Sequence, residues 1–179
     1  MTDAAHYARV FFALWPPPAV REQLVEVGKL LHREVGGKPT RPESIHLTLA
    51  FLGDVEVERL DALKSAAADV QADACTITID RAGCWNRNGI GWAGPREMPE
   101  ELRTLVDRLL QALRDAKFAF DDKPFAAHLT LVRRGAGKRA EPAFDPVVWP
   151  VDEFVLVQSE LNAGGSRYSI IGRWPLTRT

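Results

Sequence analysis

The tetrapeptide His-Leu-Thr-Leu occurs twice in this chain, beginning at His46 and again at His128. The chain has only four histidines, so half of them share one identical apolar frame. In a strand, successive side chains point to opposite faces, so each copy would direct its histidine and threonine to one side. Imidazole titrates near neutrality, which suits a histidine pair for proton transfer. The repeat therefore predicts two polar pairs, His46 with Thr48 and His128 with Thr130, suited to acid–base chemistry.

Two such pairs facing each other across a cleft suit in-line displacement at phosphorus. One imidazole would take a proton from a nucleophile, the other would give one to a leaving group, and the threonine hydroxyls would bind phosphate oxygens. Arg133 follows the second motif and adds a permanent cation with bidentate geometry for phosphate. Arg134, Lys138 and Arg139 extend this positive patch. A solvated surface loop is the alternative for these four cations, and it is favoured for Lys138 and Arg139.

Both motifs follow the same order of predicted elements, namely strand, proline turn, amphipathic helix, loop and motif strand. The first set places a strand at 9–14 and a helix at 19–34, and the second places them at 90–93 and 99–117. Repetition at a long period indicates duplicated units. We therefore expect one βαβ-like unit used twice, with a pseudo-twofold arrangement that brings the motif strands face to face. Residues 1–179 would form a single two-lobed domain, with a boundary between the lobes near 94–99.

The remaining elements favour an antiparallel arrangement. The first motif strand is predicted over 45–52 and is expected to end at Gly53-Asp54, before a helix over 57–70. A strand is predicted over 76–80, and Asn88-Gly89 is a strong hairpin signal. Two closing strands are predicted at 151–161 and 168–174. The expected fold class is α+β, with two pseudo-symmetric lobes, each a largely antiparallel sheet with flanking helices, and the active-site cleft between them.

Composition limits the classes of partner and cofactor. The net charge of −1 gives no global basic field for nucleic acid, so an RNA would have to meet a local patch. The two cysteines, Cys75 and Cys84, are expected to be buried, reduced thiols, which fits the cytoplasm. We expect no signal peptide, and no apolar run in the sequence approaches membrane-spanning length. The histidine motifs lack further ligands at metal-binding spacing, and no Walker-type loop is present, so neither a metal nor another cofactor is expected.

The segments around both motifs resemble the two-histidine phosphoesterase superfamily, and within it the LigT/ThpR-type RNA 2′,3′-cyclic phosphodiesterases, first described as 2′-5′ RNA ligases. The resemblance covers almost the whole chain and is carried by residues 9–14, 46–53, 124–133, 160–161, 168 and 174–176. One departure is Ala127, where the family usually has proline before the histidine. This departure loosens the loop and leaves the chemistry intact.

The resemblance implies metal-free hydrolysis of a terminal 2′,3′-cyclic phosphate on RNA to a 2′-phosphate. It assigns His46 as the acid that protonates O3′ and His128 as the base that activates water. It also implies that Phe51 stacks on the terminal base. Strict alternation would instead place Phe51 on the face opposite His46, unless the strand ends or bulges near Ala50, and the same objection applies to Arg133. Arg133 is further expected to lower the pKa of His128, with nothing comparable beside His46.

Two function classes remain after this reasoning. The first is the phosphodiesterase, a hydrolase acting on RNA ends or small cyclic nucleotides, with ATP-independent 2′-5′ joining as a minor variant in the same site. The second is a non-catalytic RNA-end or nucleotide-binding module. The intact histidine and threonine in both motifs favour the enzyme, because a binding module does not need two titratable groups. We expect a monomer without a membrane partner.

Overall fold

The computed structural model describes residues 5–136 and 139–178. Within these residues the strands are β1 (Tyr7–Leu14), β2 (Lys38–Pro39), β3 (Leu47–Glu56), β4 (Cys75–Ile79), β5 (Arg81–Trp85), β6 (Ile90–Gly94), β7 (Leu129–Arg133), β8 (Val147–Val151), β9 (Glu153–Asn162) and β10 (Gly165–Pro175). The helices are α1 (Pro18–Val35), α2 (Leu60–Ala68) and α3 (Glu100–Asp115). Two short 3-10 turns lie at Pro42–Ser44 and Val57–Arg59.

One antiparallel sheet runs through both halves of the molecule. Its order is β10-β9-β1-β3-β7-β6-β5, with β2 added beside β7, and β4 pairs with β8 in a separate ribbon. The prediction of an α+β fold with largely antiparallel strands is confirmed. The two halves of the sheet meet at β3 and β7, through the single pair Leu47 and Leu129. Each of these leucines directly follows a motif histidine, so the join between the halves lies at the two motifs.

The two motif strands occupy equivalent places. β3 pairs antiparallel with β1, the strand that precedes α1, and β7 pairs antiparallel with β6, the strand that precedes α3. Each unit is thus a strand, a helix and a motif strand that returns beside the first. Both histidines lie immediately before their strands rather than inside them, because β3 begins at Leu47 and β7 at Leu129.

Each of these helices packs against the other half of the sheet. α1 contacts β7, β6 and β5, whereas α3 contacts β3 and α2. The apolar stripe of α1 is buried, as its helical spacing predicts, and Gly28 of that helix lies against Leu131 of β7. The apolar stripe of α3 is buried in the same way. The hydrophobic core is therefore shared, with each half covering the helix of the other.

Some element boundaries differ from the sequence prediction. The expectation that Gly53-Asp54 ends the first motif strand is wrong, because β3 continues to Glu56 and pairs with β1 along this length. The helix expected at 57–70 opens with a 3-10 turn, and α2 itself begins at Leu60. The hairpin predicted at Asn88-Gly89 joins β5 to β6. None of the helices in the described part of the chain is both long enough and apolar enough to cross a membrane.

Candidate active site

A cavity of about 600 Å³ opens between the two motif strands. It is lined by all six residues that the sequence predicts for the site, which are His46, Thr48, Phe51, His128, Thr130 and Arg133. The remaining lining residues are Phe11, Lys38, Pro39, Thr40, Arg41, Ser44, Arg134, Leu161, Gly164, Gly165, Ser166 and Tyr168. The two copies of the motif therefore face one shared space.

Matching β-bulges bring Phe51 and Arg133 to this space. The extra residue before Phe51 in β3 is Leu49, and the one before Arg133 in β7 is Leu131, so the second leucine of each motif has no direct partner on β1 and β6 respectively. A bulge adds one residue to one strand and reverses the alternation of the residues that follow. The placement of Phe51 and Arg133 on the opposite face by strict alternation is therefore wrong. Both residues stand five positions after their histidine and line the cavity.

The backbone fixes both imidazoles in the same way. Nδ1 of His46 lies 2.7 Å from the carbonyl oxygen of Ser44, and Nδ1 of His128 lies 2.8 Å from that of Ala126. A carbonyl oxygen can only accept a hydrogen bond, so Nδ1 carries the hydrogen and donates it in each case. The Nε2 atoms are left for the substrate. Each can accept a proton when the ring is neutral and can donate one when the ring is charged.

Aromatic side chains surround His46. Its ring lies parallel to Trp15, with 4.9 Å between ring centroids and 4° between planes, and its centroid is also 4.9 Å from that of Phe11. Tyr168 meets it edge-on at 5.3 Å. Burial among these rings lowers the pKa of His46 from 6.5 to about 4, against the opposing effect of the hydrogen bond to Ser44. The imidazole is therefore neutral at pH 7 in the free protein.

The expectation that no positive charge acts on His46 is wrong. After burial, the charges of Arg133 and His128 are further causes that lower the pKa of His46. Sequence distance suggested otherwise, because Arg133 follows His128 closely and stands far from His46 in the chain. The shared cavity brings Arg133 near both motifs. His128 itself has a more open setting, in which Trp85 meets it edge-on at 4.8 Å between centroids.

We expect the low pKa of His46 to make the free protein less stable as the pH falls. The unfolded chain binds a proton to this histidine near pH 6.5 and the folded protein near pH 4, so stability is lost as the pH falls through that window. The loss should be on the order of 3 kcal/mol, since each pKa unit is worth about 1.4 kcal/mol. Urea unfolding at pH 7 and pH 4 measures it. The variant His46→Asn should show a smaller loss, and an equal loss in both proteins would contradict the assignment.

Two cations of the cavity lining were not recognised from the sequence as part of the site. Lys38 lies in the two-residue strand β2 and Arg41 in the loop after it. Neither segment has a periodic pattern that could have revealed this position. Arg41 lies 3.7 Å from Glu43, measured from Nε to Oε1, and also donates to the carbonyl oxygen of Ser166. It therefore ties the loop before the first motif to the hairpin between β9 and β10.

The predicted basic patch is present only in part. Arg134 lines the cavity, as Arg133 does. Arg139 is exposed, lies 3.6 Å from Glu141 and is not among the lining residues. Lys138 lies outside the described residues. For Arg139 the alternative of a solvated loop residue is therefore the better description.

The described residues contain no group of three or more histidine, cysteine, aspartate or glutamate side chains arranged to hold a metal ion. Cys75 and Cys84 are both free thiols and only partly buried. Burial raises the pKa of Cys75 to about 11, with a smaller contribution from Glu101, so its thiol is protonated at neutral pH.

Comparison with known proteins gives consistent matches over most of the chain. A family model described as LigT-like phosphoesterase matches twice, at residues 14–92 and 93–168. A protein of Escherichia coli (strain K12) named RNA 2′,3′-cyclic phosphodiesterase is 36% identical over 95% of this chain and 97% of its own length. A protein of the same name from Thermus thermophilus is 34% identical, over 94% of this chain and 90% of its own length.

Solved structures of related proteins match equally well. The crystal structure of E. coli LigT complexed with 3′-AMP has a TM-score of 0.86 at 33% identity, covering 96% of this chain and 99% of that one. The crystal structure of E. coli LigT complexed with phosphate has a TM-score of 0.80 at 32% identity, covering 97% of this chain and 99% of that one.

Proposed function

This chain belongs to the LigT-like phosphoesterase family, and we propose that it hydrolyses the 2′,3′-cyclic phosphate at the end of an RNA to a 2′-phosphate. The observation that carries the proposal is the matched pair of imidazoles. Each is held at Nδ1 by a backbone carbonyl two residues earlier, and both line one cavity with the two motif threonines. The names of the relatives support this activity over a non-catalytic binding module.

The proposed reaction needs two proton transfers. His128 Nε2 takes a proton from water, whose oxygen attacks phosphorus, and the bond from phosphorus to O3′ breaks. His46 Nε2 gives its proton to O3′, which leaves as the 3′-hydroxyl, and the product carries a 2′-phosphate. The assignment of acid and base follows the family resemblance. His46 is neutral in the free protein, and the negative charge of a bound phosphate raises the pKa of a neighbouring imidazole, so substrate binding would favour its protonation.

The other cavity residues have proposed binding roles. Thr48 and Thr130 would donate hydrogen bonds to the phosphate oxygens, and Arg133 would pair with their negative charge. Phe51 would stack on the terminal base, since its partly buried ring lies in the cavity wall. Arg9 lies on the same ring, with its guanidinium carbon 5.0 Å from the Phe51 ring centroid. This contact holds the Phe51 ring in place, although Arg9 itself is not one of the proposed catalytic residues.

The deciding experiment is product analysis with an RNA that ends in a 2′,3′-cyclic phosphate. We expect a product whose terminal phosphate is on O2′ and is released by a phosphomonoesterase. A product with its terminal phosphate on O3′, or binding without turnover, would contradict the proposal. Joining of 2′-5′ ends would use the same site with a 5′-hydroxyl in place of water, attacking the cyclic phosphorus while O3′ leaves, and we propose hydrolysis as the main reaction because water is in large excess.

Removing either threonine hydroxyl should weaken turnover without unfolding the protein. Thr48→Val and Thr130→Val each delete one hydrogen bond to the phosphate, worth on the order of 1–3 kcal/mol, while keeping a similar side-chain shape. We expect kcat/KM on a 2′,3′-cyclic phosphate to fall by about 10-fold to 100-fold, with little change in melting temperature. Thr48→Ser restores the hydroxyl and serves as the control. A Val variant with wild-type kcat/KM would remove that threonine from the site.

We also expect activity to survive chelation, because the proposed chemistry uses only imidazoles, hydroxyls and an arginine. Preincubation with EDTA, followed by assay in EDTA, should leave the rate of cyclic phosphate hydrolysis unchanged. If EDTA abolished turnover and zinc or manganese restored it, the metal-free mechanism would be wrong.

A cytoplasmic location and a monomeric state remain predictions. The first is supported by the two free cysteines. Size-exclusion chromatography with light scattering would test the second.

A further inference from the structure

Two cations stand directly opposite each other on the wall of the cavity. Lys38 of β2 pairs with Arg133 of β7 in the antiparallel register. Side chains of directly paired residues project from the same face of a sheet, and like charges in such positions repel. Both residues line the cavity, and neither has an ion pair with an acidic side chain in the described part of the chain. An anion between them would remove this repulsion.

The backbone next to this pair is held in an unusual conformation. Arg134 has a φ of +57°, in the left-handed region that residues other than glycine rarely adopt. The backbone at 133–135 packs closely against Gly37 and Gly89, where a Cβ on either glycine would collide with it. The amide of Gly135 donates to the carbonyl oxygen of Gly89 at 2.8 Å. A costly conformation persists only where its surroundings fix it, and here it presents Arg134 to the cavity.

Lys38, Arg133 and Arg134 lie at the end of β7 that is distant from His128. At about 3.3 Å per residue, the Cα of Arg133 stands on the order of 15 Å along β7 from that of His128. Lys38, opposite Arg133, is equally remote. The charge of Arg133 nevertheless contributes, after burial, to lowering the pKa of His46. Arg133 thus acts on His46, with Lys38 directly opposite it in the sheet and Arg134 next to it in the chain.

We propose that Lys38 and Arg134, beside Arg133, form a second phosphate subsite, which binds the internal phosphodiester next to the terminal cyclic phosphate of an RNA strand. The inference rests on the proposed function, which places the cyclic phosphate between His46 and His128. The subsite makes an oligonucleotide a better substrate than a mononucleotide with the same terminal base. It also explains how a chain of net charge −1 can bind a polyanion.

The test compares two substrates across three proteins. The substrates are a nucleoside 2′,3′-cyclic phosphate and a four-nucleotide RNA with the same cyclic end. The proteins are the wild type, the double variant Lys38→Gln/Arg134→Gln and the control Arg139→Gln, which removes an exposed cation outside the cavity lining. We expect the double variant to lose tenfold or more in kcat/KM on the RNA and less than threefold on the mononucleotide. The control should match the wild type on both, and melting curves check folding.

A binding measurement separates this inference from the proposed function. Fluorescence anisotropy of a labelled four-nucleotide RNA with a 2′-phosphate end, at several salt concentrations, reports the phosphate contacts without turnover. Loss of the contact with one internal phosphodiester should make the slope of log affinity against log salt shallower by about 0.7, the value for one neutralised phosphate of a single strand. The double variant could show the predicted slope change while the wild type turned over neither substrate. In that case the proposed function would fail and the subsite would stand. Equal losses on both substrates, or an unchanged slope, would overturn the subsite.

Discussion

His46→Ala and His128→Ala are each expected to lower kcat on a 2′,3′-cyclic phosphate by about 10²–10⁴-fold, the usual contribution of a general acid or base. Each imidazole is fixed at Nδ1 by a backbone carbonyl and offers Nε2 to the substrate, so alanine removes a proton carrier that no other described cavity residue replaces in position. The measurement is steady-state hydrolysis at saturating substrate, with circular dichroism to confirm that the fold is kept.

The matched control for these variants is His32→Ala. His32 is an exposed histidine on α1, and its Nδ1 also lies near a backbone carbonyl, that of Gly36, at 3.1 Å. It lies outside the cavity lining, so this variant should keep wild-type kcat. If either motif variant kept a rate within threefold of the wild type, that histidine would have no catalytic role.

The second large effect should appear when the leaving group needs no proton. On an aryl phosphodiester that releases nitrophenolate, we expect His46→Ala to recover most of its lost rate, whereas His128→Ala should stay impaired by about 10²-fold or more. The reason is that a leaving group of low pKa departs as an anion, so the general acid becomes dispensable while the general base does not. The measurement is the ratio of each variant's kcat/KM to the wild-type value on the two substrates.

This comparison also decides between two lines of reasoning about the roles. The family resemblance makes His46 the acid, yet burial lowers the pKa of His46 to about 4 and gives the free protein a neutral imidazole there. Recovery of His128→Ala instead of His46→Ala would exchange the two roles and leave the phosphodiesterase proposal intact. Failure of both variants to recover would mean that the aryl substrate still needs both proton transfers.

The sequence predicted the parts of the site that depend on local pattern. The repeated motif identified both histidines and threonines, and the apolar spacing identified α1 and α3. Strand alternation alone could not place Phe51, because a bulge is defined only by comparison with the number of residues in the neighbouring strand. The sequence could not predict the electrostatics of His46 for a similar reason. The enclosing rings of Trp15 and Tyr168 come from opposite ends of the chain, and burial is a property of the assembled fold.

Lys38 shows a different limit of sequence analysis. A two-residue strand is too short for any periodicity, and a single lysine in a loop-like segment is an ordinary surface residue. Only its pairing in the sheet shows that Lys38 stands opposite a second cation, Arg133, so that an anion can bind between them. The fold class was accessible because alternation and helical spacing extend over many residues, whereas the edges of the cavity are formed by pairings between distant, short segments.

The packing of each helix on the opposite half of the sheet has a consequence for synthesis on the ribosome. α1 is made early, but its apolar stripe is covered by β5, β6 and β7, which follow much later in the chain. The N-terminal half leaves the ribosome first, so its hydrophobic surface stays uncovered until the second half has been synthesised. The nascent first half therefore exposes the apolar stripe of α1, and the native cleft can form only after both motifs have left the ribosome.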